Sequence, residues 1–285
     1  MLPILAALTS GTCFAIMQLM MKRHTTQTSH PFLTPAFFGL LTPFWLLMLA
    51  GNGTLHSLTF NLTPMGLLYP ALWAAVTVTS TCILVWLFRT FSLTELTGYR
   101  KALITLGALV SDVLIFAIAF PLPELVAIAL LLTGALLLSR SRSRLPSLAE
   151  FAILVGWCSV MTIQITFYKE GQHHQSSVLA NTILMQLTSS AIYASMWLLP
   201  QVRRQAAKLP WQAIAVMLAC NIAGTLLEGF AYAGLPLAAL MVLTILPSTL
   251  FAAHDLWHGH LPRHPRSYVA LAILALGLIL LMFTK

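Results

Sequence analysis

The sequence predicts an all-α, polytopic membrane protein of ten transmembrane helices, arranged as two inverted five-helix halves. Three observations predict it: an apolar composition, ten apolar runs of helix length, and basic residues confined to alternate loops. Of 285 residues, 59% are hydrophobic and 8% charged, whereas a soluble chain carries about 25% charged residues to solvate its surface. Mean hydropathy is +0.87. Lipid is therefore the solvent for most of the chain. A membrane helix uses about 20 residues, so ten of them leave only short connections and no room for a soluble domain.

The runs follow in order. The first, 2–21, has no basic segment ahead of it and no small-residue cleavage site, so it reads as a retained helix rather than a signal peptide. Lys22 and Arg23 end it. Pro31 and Pro35 introduce the second, 33–51, and Asn52-Gly53 closes it. The third, 66–88, stops at Arg89; the fourth is 94–119; the fifth, 122–139, opens around Pro121 and Pro123. Pro146 precedes the sixth, 148–168, and the seventh covers 176–199. Pro210 precedes the eighth, 211–233, the ninth is 235–253, and Pro262 and Pro265 precede the tenth, 267–284. Proline and glycine mark these joins because neither continues a helix readily. Pro43, Pro70 and Pro247 fall inside runs, where the missing backbone hydrogen bond should kink the helix. The runs are too long for barrel strands and lack their alternation.

Charge placement tests this count. Lys22 and Arg23, then Arg89, then Arg140, Arg142 and Arg144, then Arg203, Arg204 and Lys208, then Arg263 and Arg266 all follow odd-numbered runs, and Arg100 and Lys101 stand at the start of the fourth run on the same side. Only Lys169 and Lys285 lie on the other face. One missed or invented span would scramble that alternation. The positive-inside rule then makes the odd loops cytoplasmic and puts both termini outside. In a cell's inner (plasma) membrane this orientation accounts for the net charge of +8 without nucleic acid.

The two halves are alike, which makes 1–145 and 146–285 two repeats. LTSGTCFAIMQ (8–18) lies over LVGWCSVMTIQ (154–164), pairing Gln18 with Gln164, and a lysine follows each, Lys22 and Lys169. Residues 88–111 lie over 230–253, and Gly134 and Gly277 take matching places in the fifth and tenth runs. Because five is odd, the second half enters the membrane from the opposite side. Inverted repeats of this kind build secondary transporters, whose halves rock about a site near the midplane.

With a lysine closing helices one and six, and Glu124 opening helix five ahead of the small-residue stretch at Gly134, the chain resembles the drug/metabolite transporter superfamily in its ten-helix EamA-like branch. The resemblance covers essentially the whole chain, in architecture and spacing. It implies a central cavity lined by helices one, three, four, six, eight and nine, with five and ten peripheral. The sequence departs from the pattern at helix ten, which opens with Arg266-Ser267-Tyr268 and no acidic residue. It departs again in its basic residues, which place both termini outside, whereas many relatives have them in the cytoplasm.

Ionisable groups cost several kcal/mol inside a membrane and so mark candidate sites. Glu228, in the outer half of the eighth run near Ala223, Gly224 and Gly229, could bind a cationic group or exchange a proton. Asp112 is the second carboxylate, placed either in the outer half of span four or near the water interface. Tyr99, Arg100 and Lys101, near the start of that span, either snorkel to headgroups or draw an anionic solute to the cavity. Gln18, Gln164 and Asn221 carry amides that need partners in hydrocarbon. Trp86, Trp157 and Tyr232 are candidate walls for a cationic ligand, whereas Trp73 and Trp197 read as packing or interface anchors. The four cysteines, Cys13, Cys82, Cys158 and Cys220, lie inside apolar runs and read as packing residues.

His254, Asp255, His258, His260 and His264 crowd the loop after span nine, and His254 and His258 stand one helical turn apart, a weak metal candidate. Asn52-Gly53-Thr54 and Asn61-Leu62-Thr63 match the glycosylation pattern only as chance recurrences. No Walker loop, GxSxG, HExxH or dinucleotide fingerprint occurs. The expectation is a transporter and not an enzyme, without cofactor, moving a small organic metabolite or drug through the bilayer by alternating access. Export and proton coupling both fit, a monomer is the default, and a dimer is compatible. Two alternatives remain at this point: a metal-ion transporter loading at 254–264, and a membrane enzyme or assembly partner with no transport cycle.

Overall fold

A computed structural model describes residues 2–27, 31–50, 59–91, 93–139, 147–206, 211–244 and 265–283. Among these residues the regular structure is helical, with no strand. The helices are α1 (Leu2–Gln27), α2 (Leu33–Ala50), α3 (Pro64–Thr90), α4 (Leu93–Leu114), α5 (Leu122–Ser139), α6 (Leu148–His174), α7 (Val178–Leu198), α8 (Trp211–Gly234), α9 (Leu237–Leu243) and α10 (Pro265–Phe283). α2 contains a turn of 3₁₀ helix at Gly39–Leu41, and a short helix, Pro200–Ala206, follows α7 at a 93° bend. By length and apolarity α1, α2, α3, α6 and α8 can each cross a membrane, and the bent pair raises the number to six. α4, α5 and α10 carry shorter apolar stretches: Ala102–Leu114, Leu122–Gly134 and Tyr268–Gly277. The predicted ninth span is described only as far as Thr244.

Local chemistry sets several helix ends. Ser147 and Glu150 form a reciprocal capping box at α6: the Ser147 N–H donates to Glu150 Oε2 at 2.7 Å and the Glu150 N–H to Ser147 Oγ at 3.3 Å. Ser177 caps α7 by accepting from the Ala180 N–H at 3.1 Å. α4 stops at Leu114, five residues short of the predicted end. The Ile115 and Phe116 N–H groups turn back to Ser111 O, and the Ile118 N–H donates to Asp112 O at 2.9 Å. Ala117 adopts φ of 51°, the left-handed conformation that usually ends helices through glycine.

The chain forms two compact units, and each draws on both halves of the sequence: Met1–Thr90 with Ile163–Gly234, and Phe91–Thr162 with Leu235–Lys285. In the first unit α1 and α8 run antiparallel. Pro3 packs where a side chain at Gly234 would be, Ser10 Oγ donates to Gly224 O at 2.9 Å, and Asn221 meets Met17. Contacts join connections of like parity. At the end that follows helices one and seven, Trp197 Nε1 donates to Ala36 O at 2.6 Å, and the Phe37 ring lies edge-on to Trp197 and Trp211. At the end that follows helices two and six, Asn61 Nδ2 donates to His174 O at 2.9 Å. There the Asn61 N–H also donates to Gln175 Oε1 at 3.1 Å, and Gln175 Nε2 to Gly66 O at 2.7 Å.

In the second unit α5 and α10 are also antiparallel, and their contact is reciprocal. A Cβ at Gly134 would fall 3.0 Å from Ala270 O and 2.6 Å from Leu274 Cγ. A Cβ at Gly277 would fall 3.1 Å from Ala127 O and 2.8 Å from Leu131 Cγ. Residues 127, 131 and 134 thus meet 277, 274 and 270, the pattern of a two-fold interface built within one chain. Neither glycine has room for a side chain, because the nearest atoms include partner backbone. α9 is buried along its whole length.

Candidate functional site

The polar cluster of the first unit is organised around Tyr168 on α6. The Ser177 cap fixes the start of α7 just after the α6–α7 turn, and that places Asn181 and Thr182 against Tyr168. Thr182 Oγ1 donates to Val178 O at 2.8 Å, so its oxygen is left to accept from the Tyr168 hydroxyl in a short contact. Asn181 Nδ2 donates to Tyr168 O at 3.1 Å. Gly229 on α8 admits this pair, since a Cβ there would stand 2.7 Å from Tyr168 Oη and 2.8 Å from Thr182 Oγ1. Gln172 Nε2 reaches Gly229 O at 3.5 Å. Tyr232 lies over Tyr168 with ring centroids 4.6 Å apart, and Trp73 lies on α3 at 6.1 Å.

Glu228 precedes Gly229 and is half-buried. Gln164 stands one turn before Tyr168 on α6, and Asn221 lies two turns before Glu228 on α8. Both therefore share the face of a residue in the cluster. Gln164 Oε1, Asn181 Oδ1 and Asn221 Oδ1 are buried acceptors without a hydrogen-bond partner among the described residues. Burying an unmade acceptor is costly, so three of them in one unit offer sites for the donors of a solute. Gln18, on α1, is buried.

Other candidates lie elsewhere. Trp86 is 44% exposed, while its neighbours Val85 and Leu87 are buried, so it points away from the core of its unit. Arg100 and Trp157 meet in the second unit, with the guanidinium carbon 5.3 Å from the ring centroid, and Cys158 Sγ approaches Arg100 O at 3.9 Å. This is a cation–π pair between two residues predicted separately. Tyr99 is half-buried, and the Lys101 side chain lies outside the described residues.

Asp112, left open by the sequence between the outer half of span four and the water interface, lies near the end of α4. It is fully buried, and Oδ2 accepts from the Ala238 N–H at 2.8 Å, in the first turn of α9. A carboxylate there satisfies an orphan donor and opposes the positive end of the helix. His254, Asp255, His258, His260 and His264 lie outside the described residues. Among the described residues no group of three metal-ligating side chains converges. Asn61, half of one glycosylation pattern, has its side-chain nitrogen engaged with His174 O.

Sequence reading missed Tyr168, Thr182, Asn181 and Gln172. A signal was present: Gln164, Tyr168 and Gln172 recur every four residues, one polar stripe along α6.

No protein-family profile matches the chain, and no curated protein matches it. Among solved structures, one described only as "Crystal structure of protein" is similar over 96% of this chain and 95% of its own, with a TM-score of 0.66 and 13% identity. At that identity the likeness is one of fold. The chain is thus a helical protein with several helices fit to cross a membrane.

Proposed function

We propose that this chain is a secondary transporter of the EamA-like, ten-span kind, moving a small organic metabolite or drug by alternating access. The observation that carries the reading is the reciprocal contact of α5 with α10. It pairs Gly134 and Gly277, positions that match across the two sequence repeats, on antiparallel helices. A two-fold axis lying in the membrane plane produces that arrangement, and it is the axis an inverted five-plus-five repeat requires. Like-parity contacts in the first unit support the same topology, with odd connections cytoplasmic and both termini outside. In this reading the repeats are 1–145 and 146–285, the protein sits in the inner membrane, and a monomer carries both halves of the pathway.

Glu228 is the coupling or substrate-binding group, backed by Tyr168, Tyr232 and Gln172. A half-buried carboxylate beside a hydroxyl and aromatic rings suits an amine, or a proton exchanged for one. The test is solute uptake by proteoliposomes holding the full chain. A proton-coupled carrier loses its pH dependence in Glu228→Gln while the protein stays folded, and a pH profile identical to the parent's removes Glu228 from the mechanism.

A further inference from the structure

Helix α1 meets helix α8 across a seam rich in sulfur. Cys13 Cβ lies 3.3 Å from where a Cβ on Gly224 would be, and Met17 Sδ, one turn along α1, lies 3.5 Å from Asn221 Nδ2. Cys220 is the residue beside Asn221 and one turn before Gly224, so helical spacing puts it on the same face of α8, near the level of Met17. Cys13 on α1 and Cys220 on α8 thus belong to the two sides of one helix seam. Both are half-buried free cysteines, whereas Met17 is buried, and Met217 and Met21 continue the seam by one turn on each helix. Asn221 Nδ2 donates to the Met17 sulfur, and its Oδ1 is buried without a hydrogen-bond partner among the described residues. The cluster stands near the middle of both helices.

We propose that Cys13, Met17 and Cys220 form a binding site for a soft monovalent cation, Cu(I) or Ag(I). Thiol and thioether sulfur select such ions over zinc, magnesium or calcium. A ligating thiol gives up its proton to solvent on binding, with no change of oxidation state. The other cysteines lack this setting: Cys158 lies against Arg100, whose charge repels a cation, and Cys82 is on α3. The inference rests on the packing of α1 and α8 alone, so it stands or falls apart from the transport reading.

The experiment is competition for Cu(I) between the detergent-purified full chain and bathocuproine disulfonate under anaerobic, reducing conditions. The parent should withhold about one Cu(I) per chain, and C13S/C220S should lose about 100-fold in affinity, as befits removal of direct ligands. M17L should lose less, and C82S/C158S should match the parent. X-ray absorption at the copper edge of the parent should show a shell of sulfur. That measurement decides the matter even if C13S/C220S does not fold. A parent that surrenders copper as readily as C13S/C220S, a loss confined to C82S/C158S, or a nitrogen-only shell would each overturn the proposal.

Discussion

The two compact units set their intramembrane carboxylates in different surroundings. In the second, Asp112 is wholly buried and bound to the first turn of α9, and α5 and α10 close on glycine. In the first, Glu228 is only half-buried, and amide oxygens of Gln164, Asn181 and Asn221 are left unpartnered. Two carboxylates of similar standing in the sequence thus do different work. Asp112 holds a helix terminus, and Glu228 stands beside Gly229, against which the Tyr168 and Thr182 hydroxyls pack. What separates the two acids is the chemistry of their surroundings, a backbone terminus against a hydroxyl cluster, more than their depth.

Four substitutions press on that contrast. The largest effect belongs to Gly134→Leu or Gly277→Leu, which would push a side chain into partner backbone. Each should cost about 3 kcal/mol, read as loss of folded protein by size-exclusion chromatography, and reciprocity predicts similar losses at the two positions. Asp112→Ala comes next. Removing a buried cap should lower stability by about 2 kcal/mol without weakening ligand affinity, a split that thermal melts and binding titrations together resolve. Gly229→Ala should do the reverse, weakening ligand binding about tenfold through the displaced Tyr168 hydroxyl, with less change in melting. The smallest effect is a gain: Ala117→Gly should add about 1 kcal/mol, since glycine adopts the left-handed backbone freely, measurable as a higher melting temperature.

Much of this organisation was legible in the sequence, for physical reasons. Apolar runs must be helices in lipid, so the long described helices fall on predicted runs, while the short helix Pro200–Ala206 lies in a predicted connection; Gly134 and Gly277, paired by their places in the runs, meet on α5 and α10. Glu228 and Tyr232 could be singled out because acids and aromatics are conspicuous in hydrocarbon. Tyr168, Thr182 and Asn181 could not, because hydroxyls and amides are common in membrane helices and only packing brings three of them together. The end of α4 was misplaced because a left-handed alanine leaves no mark in composition. The setting of Asp112 stayed open for a related reason: its partner is a backbone N–H 126 positions away.

The most direct measurement is a thermal-shift screen of the detergent-purified chain against amino acids, polyamines, quaternary amines, sugars, nucleotides and divalent metals, since a ligand of the folded state raises its apparent stability by mass action. The expected result is a selective upward shift from an organic amine, lost in Glu228→Ala and retained in Asp112→Asn. A shift from that amine that persists unchanged in Glu228→Ala would contradict the assignment of the site, and stabilisation by zinc or nickel alone would contradict an organic substrate.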